Sequence, residues 1–381
     1  MQKYLYNLAT DEYRGLIPSI IKVFLFILSL IYGLVVGILI LFYRLKPRRL
    51  PCKVISVGNI TLGGTGKTTV VEYIVRYLKQ QGHKVAILSR GYKRMVQGSG
   101  FRVQGHETMG DEPYMLYNKL SDVQIIVDSD RIRGANKAIK KYGVDTVILD
   151  DGFQQWKIKK DLEIVTIDST NPFGNQRLIP RGILREPLTS LKRADIFILT
   201  KTNLMPNVVK QAVSLRHPEV TLQGDAAFGN PDVADIKDFL NQINPRAAVF
   251  QAIHHPIGFY AINKPDELLN TELLKNKTVT LFSGIGDPES FENLILNLGM
   301  NIGLSFKFRD HYNYTQKDLD KIIQRSQDKN INTVITTEKD AVRIYELRVT
   351  SYELRVLVLR IKLEIKDEQR FYPRLLGLYS A

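Results

Sequence analysis

Ile60-Thr-Leu-Gly-Gly-Thr-Gly-Lys-Thr-Thr69 is the stretch that decides how this chain folds. Several backbone N–H groups must converge on phosphate oxygens in such a loop, which needs glycines, and a helix N-terminus behind them adds a positive dipole. Gly63, Gly64 and Gly66 supply the freedom, Lys67 has the reach for β- and γ-phosphates, and the Thr68 hydroxyl suits magnesium. The flanks agree with this. Lys53-Val-Ile-Ser-Val57 is an apolar strand entering the loop, and Val71, Ile74, Val75 and Leu78 give a helix over 70–81 leaving it. The nucleotide-contacting set is therefore Thr61, Gly63, Gly64, Thr65, Gly66, Lys67, Thr68 and Thr69, with ATP and Mg²⁺ as the expected cofactors.

Upstream of the loop, Val23 to Phe42 contains no charged residue. As a helix it would span roughly 30 Å, the thickness of a bilayer core. Gly33 and Gly37 are common in membrane helices, and no small-residue cleavage site follows the run, which argues against a signal peptide. Arg44, Lys46, Arg48 and Arg49 come directly after it, an excess that places the large remainder in the cytoplasm. Those residues would also attract anionic headgroups. An in-plane helix is the other possibility, yet its polar face would have to come from almost no polar residues.

The chain has 381 residues and a formal net charge of +14, enough length for two to three domains and a bias toward an anionic partner. The single cysteine, Cys52, excludes an internal disulfide and fits a reducing compartment. Beyond residue 50, short β-branched runs alternate with helical stretches: 84–88, 123–127, 146–150, 164–168 and 196–200. That alternation implies a parallel sheet with helices on both faces, whose ligands sit at the carboxyl ends of strands. The polar groups cluster there, in Ser89-Arg-Gly-Tyr92, Asp128-Ser-Asp-Arg131 and Asp150-Asp-Gly-Phe153. A second α/β set starts near Lys277, after an irregular stretch. The expected organisation is an anchoring segment 1–49, a P-loop α/β domain 50–220, a linker 221–246 and a smaller C-terminal α/β domain 247–381. Thr146-Val-Ile-Leu-Asp-Asp-Gly152 is an apolar strand ending in two carboxylates, as a magnesium-holding element requires.

Gly110-Asp-Glu-Pro113, Asp150-Asp-Gly-Phe-Gln154, Leu184-Arg-Glu-Pro187 and Thr336-Thr-Glu-Lys-Asp340 follow in that order, joined by Gly284-Ile-Gly-Asp-Pro288 and Asp310-His-Tyr312. As a set, over nearly the whole chain, they resemble the tetraacyldisaccharide 4'-kinase (lipid A 4'-kinase) family. The resemblance implies transfer of the ATP γ-phosphate to the 4'-hydroxyl of a glycolipid disaccharide. It implies a substrate in the cytoplasmic leaflet of a bacterial inner membrane, an anionic membrane surface as partner, and no nucleic acid. Carried over onto this chain, the catalytic acid–base pair is Asp111 and His311, with Lys67 on the phosphates. Such a pair gives the attacking hydroxyl a place to leave its proton.

Glu112, adjacent to Asp111 and so close to the γ-phosphate, and Asp151 are with Thr68 the expected magnesium shell, with Asp150 as the alternate carboxylate. On the same resemblance Arg131, Arg185 and Glu186 lie near the active site, where arginines can fork onto phosphate oxygens. Tyr92 joins them as a substrate contact. The family carries His where this chain has Gln155, which can hydrogen-bond substrate but carries no positive charge. Asp111 and His311 fall in different α/β sets, so the pair is expected to assemble across a cleft that closes.

Two other functions are weighed by residues. A membrane-anchored regulatory ATPase or GTPase of the partitioning and targeting class has a similar glycine loop. The GTPase signals, Asp-x-x-Gly and Asn-Lys-x-Asp, are replaced here by Asp150-Asp-Gly152 and Thr200-Lys-Thr-Asn203. A nucleic-acid-binding protein is suggested by charge alone, without a recognition module. Tyr345-Glu-Leu-Arg-Val349 recurs as Tyr352-Glu-Leu-Arg-Val356, a local duplication to which no function attaches.

Overall fold

A computed structural model describes residues 15–90, 110–120, 122–204, 232–344, 347 and 355–380. A long helix α1 (Leu16–Leu45) precedes β1 (Lys53–Gly58), α2 (Lys67–Gln80), β2 (Val85–Ser89), α3 (Asp111–Lys119), β3 (Gln124–Val127) and α4 (Arg131–Tyr142). Then come β4 (Thr146–Asp150), β5 (Leu162–Asp168), β6 (Ile196–Thr200), α5 (Val233–Ile243), β7 (Ala248–Ala261) and β8 (Lys264–Leu269). The chain ends with β9 (Thr278–Ser283), α6 (Pro288–Asn297), β10 (Asn301–Lys307), α7 (Gln316–Gln327), β11 (Thr333–Thr337), α8 (Glu338–Ile344), β12 (Arg355–Ile365) and α9 (Glu368–Leu376).

These elements form two compact units, each built from separate stretches. The described residues up to Lys67, within Asp151–Ala252 and from Ile365 onward make the first; those of Thr68–Asp150 and Ile253–Glu364 make the second. This differs from the contiguous division the sequence suggests, because the β2–β4 segment belongs with the C-terminal α/β set. A second difference lies within the expected linker. Val233–Ile243 is a helix, started by a capping box in which Asp232 and Asp235 exchange side-chain and backbone bonds. Ile236 and Leu240 are fully buried on its inner face.

In the first unit β1, β5, β6 and the start of β7 are parallel neighbours in that order, with Ile55 opposite Leu162, Ile164 opposite Ile196, and Ile196 opposite Ala248. Every residue of β5 and β6 is buried, including Glu163, Thr166 and Thr200 among the apolar ones, as expected of parallel strands covered on both faces. Phe153, Phe173, Phe197, Ile60 and Leu191 are at the centre of this unit's core. In the second unit β4, β2 and β3 run parallel, as do β10, β9, β11 and β12, while β8 is antiparallel to β7. Its C-terminal core packs Phe282, Tyr314, Leu319, Ile322 and Val334.

One glycine sets the entry to the phosphate loop. A Cβ on Gly58, the last residue of β1, would lie 2.5 Å from the backbone nitrogen of Phe153, so the Asp150-Asp-Gly-Phe153 turn can approach β1 only if position 58 has no side chain. The approach is closed by the Gly152 N–H, which donates to the Val57 carbonyl at 3.0 Å. Gly58→Ala should therefore lower stability by about 1–3 kcal/mol, the usual cost of overpacking. Urea unfolding checks this; an unchanged midpoint would contradict the close approach.

Candidate active site

The phosphate loop is held from both sides of its strand. Gly63 and Gly66 take φ of 114° and 74°, conformations that side chains other than glycine's rarely allow. The Leu62 N–H donates to the Ile183 carbonyl at 2.8 Å, and the Arg185 N–H to the Ile60 carbonyl at 2.7 Å. The Thr200 hydroxyl donates to the Thr65 carbonyl at 3.0 Å. Thr65 turns its own hydroxyl inward, 2.9 Å from that of Thr166, and Thr61 is likewise buried, so these two expected nucleotide contacts shape the loop from within. A Cβ on Gly63 or Gly64 would meet nothing within 4 Å, which leaves that part of the loop open. Thr68 is buried at the start of α2 and Thr69 half-buried.

Lys67 is held by an amide and a carboxylate. Its ammonium donates to Asn59 Oδ1 at 3.2 Å and lies 3.6 Å from Asp151 Oδ1. Asp151 has φ 54°, a left-handed conformation that Asp tolerates better than most residues. Arg185 Nη1 donates to both Asp151 oxygens, at 2.9 and 2.8 Å, and to Gln154 Oε1 at 3.3 Å. Glu186 is fully buried and accepts from Gln154, Trp156 and Arg193, so it stiffens the segment that carries Arg185. Gln155 is half-buried, its backbone N–H closing a turn onto the Gly152 carbonyl at 2.9 Å. Tyr92 lies outside the described residues.

In the second unit Asp111 is the first residue of α3, where the helix dipole favours a carboxylate. His311, 200 positions on, brings Nδ1 to 3.1 Å from Asp111 Oδ2. Both residues belong to the same unit, so the expectation that they sit in different domains is corrected. Arg343, from α8, is the hub that sequence reasoning missed. Its Nε donates to Asp111 Oδ2 at 2.6 Å, Nη1 to the Gly284 carbonyl at 2.7 Å and to Asp340 Oδ1 at 3.0 Å, and Nη2 lies 3.2 Å from His311 Nδ1. Buried Asp340 fixes Arg343 in turn, while accepting from the Gly284 N–H, the Tyr314 hydroxyl and the Thr337 hydroxyl. The sequence held one clue: Arg343 lies one helical turn past the end of Thr336-Thr-Glu-Lys-Asp340, on the same face as Asp340.

Burial acts to raise the Asp111 pKa, but the bonds from His311 and Arg343 outweigh it and hold the carboxyl below the usual carboxylate range. The sign follows: with the folded pKa below the unfolded one, the pairing adds stability above the unfolded pKa and loses it as pH falls through the folded value. Asp340 is pushed the other way, upward, by burial. Nδ1 of His311 faces an acceptor and a donor at once. Protonated, it donates to Asp111; unprotonated, it accepts from Arg343.

The remaining expected residues are placed as follows. Glu112 accepts from the Lys339 ammonium. Burial would lower the pKa of Lys339, but Glu112 and Asp310 raise it, so the amine stays charged. Arg131 is buried, donating to the Asp128 carbonyl at 2.8 Å and to the Asp150 carbonyl at 3.4 Å, and Asp150 is itself buried. Arg131 thus ties together the ends of β3 and β4. Among the described residues no three His, Cys, Asp or Glu side chains converge. Magnesium does not require such a cage, since it takes one or two carboxylates together with phosphate oxygens and water.

A glycine loop with its lysine, followed by a carboxylate–imidazole–guanidinium cluster, defines a phosphoryl-transfer enzyme on a P-loop α/β fold. A family model described as tetraacyldisaccharide-1-P 4'-kinase matches residues 21–379. The tetraacyldisaccharide 4'-kinase of Halothermothrix orenii is 34% identical, over 96% of this chain and 95% of that one. That of Elusimicrobium minutum is 34% identical over 86% and 84%. The crystal structure of LpxK from Aquifex aeolicus superposes with a TM-score of 0.66 at 28% identity, covering 94% of this chain and 99% of that one. The chain belongs to the tetraacyldisaccharide 4'-kinase family, and the regulatory-ATPase alternative is not favoured.

Arg343→Lys would keep the charge but lose the fork that reaches Asp111, His311 and Gly284 together. Charge-assisted bonds of this kind are worth about 1.5–3 kcal/mol, so kcat should fall roughly ten- to a hundredfold with little change in nucleotide affinity. Steady-state kinetics of the variant check this, and wild-type kcat would remove Arg343 from the site.

Proposed function

We infer that this chain is an ATP-dependent kinase that phosphorylates the 4'-hydroxyl of a tetraacyldisaccharide 1-phosphate. The observation that carries the reading is the meeting of Asp111, His311 and Arg343, from three distant segments, in a chain that also has a glycine-rich phosphate loop with its lysine, Thr61 standing where the strict pattern has glycine. The Aquifex aeolicus relative was crystallised in complex with ATP, which supports the same nucleotide here.

Phosphoryl transfer to an alcohol needs a cradle for the triphosphate and an acceptor for the hydroxyl proton. The cradle is the Gly63–Lys67 turn, where backbone N–H groups and the Lys67 ammonium bear on the phosphates. The acceptor is Asp111. Held ionised by Arg343, it is a weak base in the ground state and takes the proton as the alcohol becomes acidic in the transition state, with His311 Nδ1 as the next atom to carry it. Magnesium would be held by Asp151 and Thr68, with Asp150 as the alternate carboxylate. Asp151 suits this because it is 42% exposed and already lies beside Lys67. The metal would neutralise charge between the β- and γ-phosphates. Glu112 would serve only on releasing Lys339. Arg185 is the proposed anion-binding group for the substrate, while Arg131 and Glu186 position the segments around it. Gln155 is a substrate contact on this reading.

The acceptor is a lipid, so the reaction belongs at a membrane. We place the enzyme at the bacterial inner membrane with its catalytic units in the cytoplasm. Arg44, Lys46, Arg48 and Arg49 face anionic headgroups, and the chain's positive charge serves lipid rather than nucleic acid.

The test is turnover of γ-labelled ATP with the monophosphorylated disaccharide lipid, comparing wild type with two variants. Asp111→Ala should lower kcat by about 10²- to 10⁴-fold while leaving ATP affinity within about twofold. Lys67→Ala should weaken ATP binding as well as turnover. Loss of ATP binding in Asp111→Ala would move that residue from proton acceptor to structural duty.

A further inference from the structure

Two acids at the start of α3 meet two bases on α8. Asp111 takes Arg343, and the next residue, Glu112, takes Lys339, four positions earlier on α8 and so on the same face of that helix. The two pairs are unlike. Arg343 is 3% exposed, and all three of its guanidinium nitrogens are engaged with protein. Lys339 is 28% exposed and Glu112 31%, and among the described residues the one hydrogen bond of the Lys339 ammonium is to Glu112. An ammonium has three protons to give, so two are left. Asp310, in the turn that carries His311, acts on the same ammonium electrostatically. The packing of α3 on α8 does not need this second pair. Lys119, at the end of α3, donates to Glu338, the first residue of α8, at 2.7 Å, and Asp111 with Arg343 makes a further tie. A partly exposed ion pair between helices already joined twice contributes little to stability.

We propose that Lys339 is a catalytic residue, donating to a peripheral oxygen of the phosphoryl group in transit, and that Glu112 serves to hold it in place. This deepens the lipid-kinase reading, on which it rests. An alcohol that gives its proton to Asp111 attacks phosphorus from about 3–3.5 Å, so the phosphoryl oxygens arrive beside Glu112, the next residue, and its lysine. The new O–P bond forms as the bond from the γ-phosphorus to the bridging oxygen of ADP breaks, with charge spread over the three peripheral oxygens. The hydroxyl proton goes to Asp111, ADP leaves, and Lys339 keeps its own protons throughout. A cation placed at those oxygens stabilises the transition state. Arg343 does not serve, because its nitrogens are spent on Asp111, His311, Asp340 and the Gly284 carbonyl. Lys67 bears on the phosphates from the nucleotide loop, and Lys339 is the cation on the side of the base. Glu112, as the tether of that cation, is then not drawn on for magnesium.

The test is made on the detergent-solubilised full chain with ATP, magnesium and the monophosphorylated disaccharide lipid. Lys339→Met should lower kcat about 10²- to 10³-fold, the usual effect of removing one donor from a developing charge, with the KM for ATP little changed. Lys339→Arg keeps the charge and should recover part of the loss. Glu112→Gln should lose less than Lys339→Met and leave the magnesium concentration for half-maximal rate where it is in wild type. A second reading is calorimetric binding of ADP with aluminium fluoride, a mimic of the phosphoryl group in transit. Lys339→Met should bind ADP alone as wild type does but the mimic at least about tenfold more weakly. Wild-type kcat in Lys339→Met would overturn the assignment, as would unchanged affinity for the mimic or a Lys339→Met chain that fails to fold. A magnesium requirement raised in Glu112→Gln but not in Lys339→Met would return Glu112 to the metal. Transfer to the lipid by wild type is measured beside the variants, so failure of the kinase reading and failure of the Lys339 role are told apart.

Discussion

The negative charge of Asp111 is what the second unit is organised around. Arg343 Nε and His311 Nδ1 both converge on one oxygen of that carboxylate. Arg343 can do this because Asp340, buried one turn earlier on α8, holds its other arm, and Asp340 in turn is satisfied by donors from the Gly284 turn, Tyr314 and Thr337. The arrangement adds charge pairing between α3, the Asp310-His-Tyr312 turn and α8 to the apolar packing of Tyr312 and Ile344 in the same core. A buried guanidinium without its carboxylates would be costly, so these segments are held together by the need to keep each charge paired.

The first unit follows a different logic, built on backbone geometry. A loop that presents N–H groups to phosphate cannot use them to hold itself, so its shape must be imposed from outside. The segment 183–185 grips it on one side and Thr200 and Thr166 on the other, and fully buried Glu186 keeps the first of these in place. Lys67 is steadied by Asn59 and Asp151, and Asp151 by Arg185. Arg185 therefore belongs at once to the loop's support, to the carboxylate beside Lys67 and, through its carbonyl, to helix α1.

Much of this was legible in the sequence where the signal is local. The phosphate loop and its flanks follow from glycines, a lysine and hydrophobic spacing within about thirty residues. Strands β4 and β6 fall where apolar β-branched runs put them, because a parallel sheet buries both faces. Helix α5 was hidden by the Asn, Pro and Asp residues around it, although Asp232 and the Ile236, Leu240 spacing were in plain view. The Asp111–His311 pairing was legible only through motif resemblance, since nothing local links residues 200 apart. Arg343 was invisible for the same reason: its partners come together only when β9, α3 and α8 are folded. The sequence leaves open whether α1 crosses the bilayer or lies in it, because a stripe packed on protein and a stripe packed on lipid are both written in apolar residues.

Transfer of phosphate from ATP to one alcohol of a lipid acceptor is read most directly from the position of the new phosphate. Mass spectrometry and ³¹P NMR of the product made from tetraacyldisaccharide 1-phosphate should show a bisphosphate, with the original 1-phosphate retained and the added group on the 4'-oxygen. Free inorganic phosphate as the sole product, or a phosphate on any other hydroxyl, would contradict it.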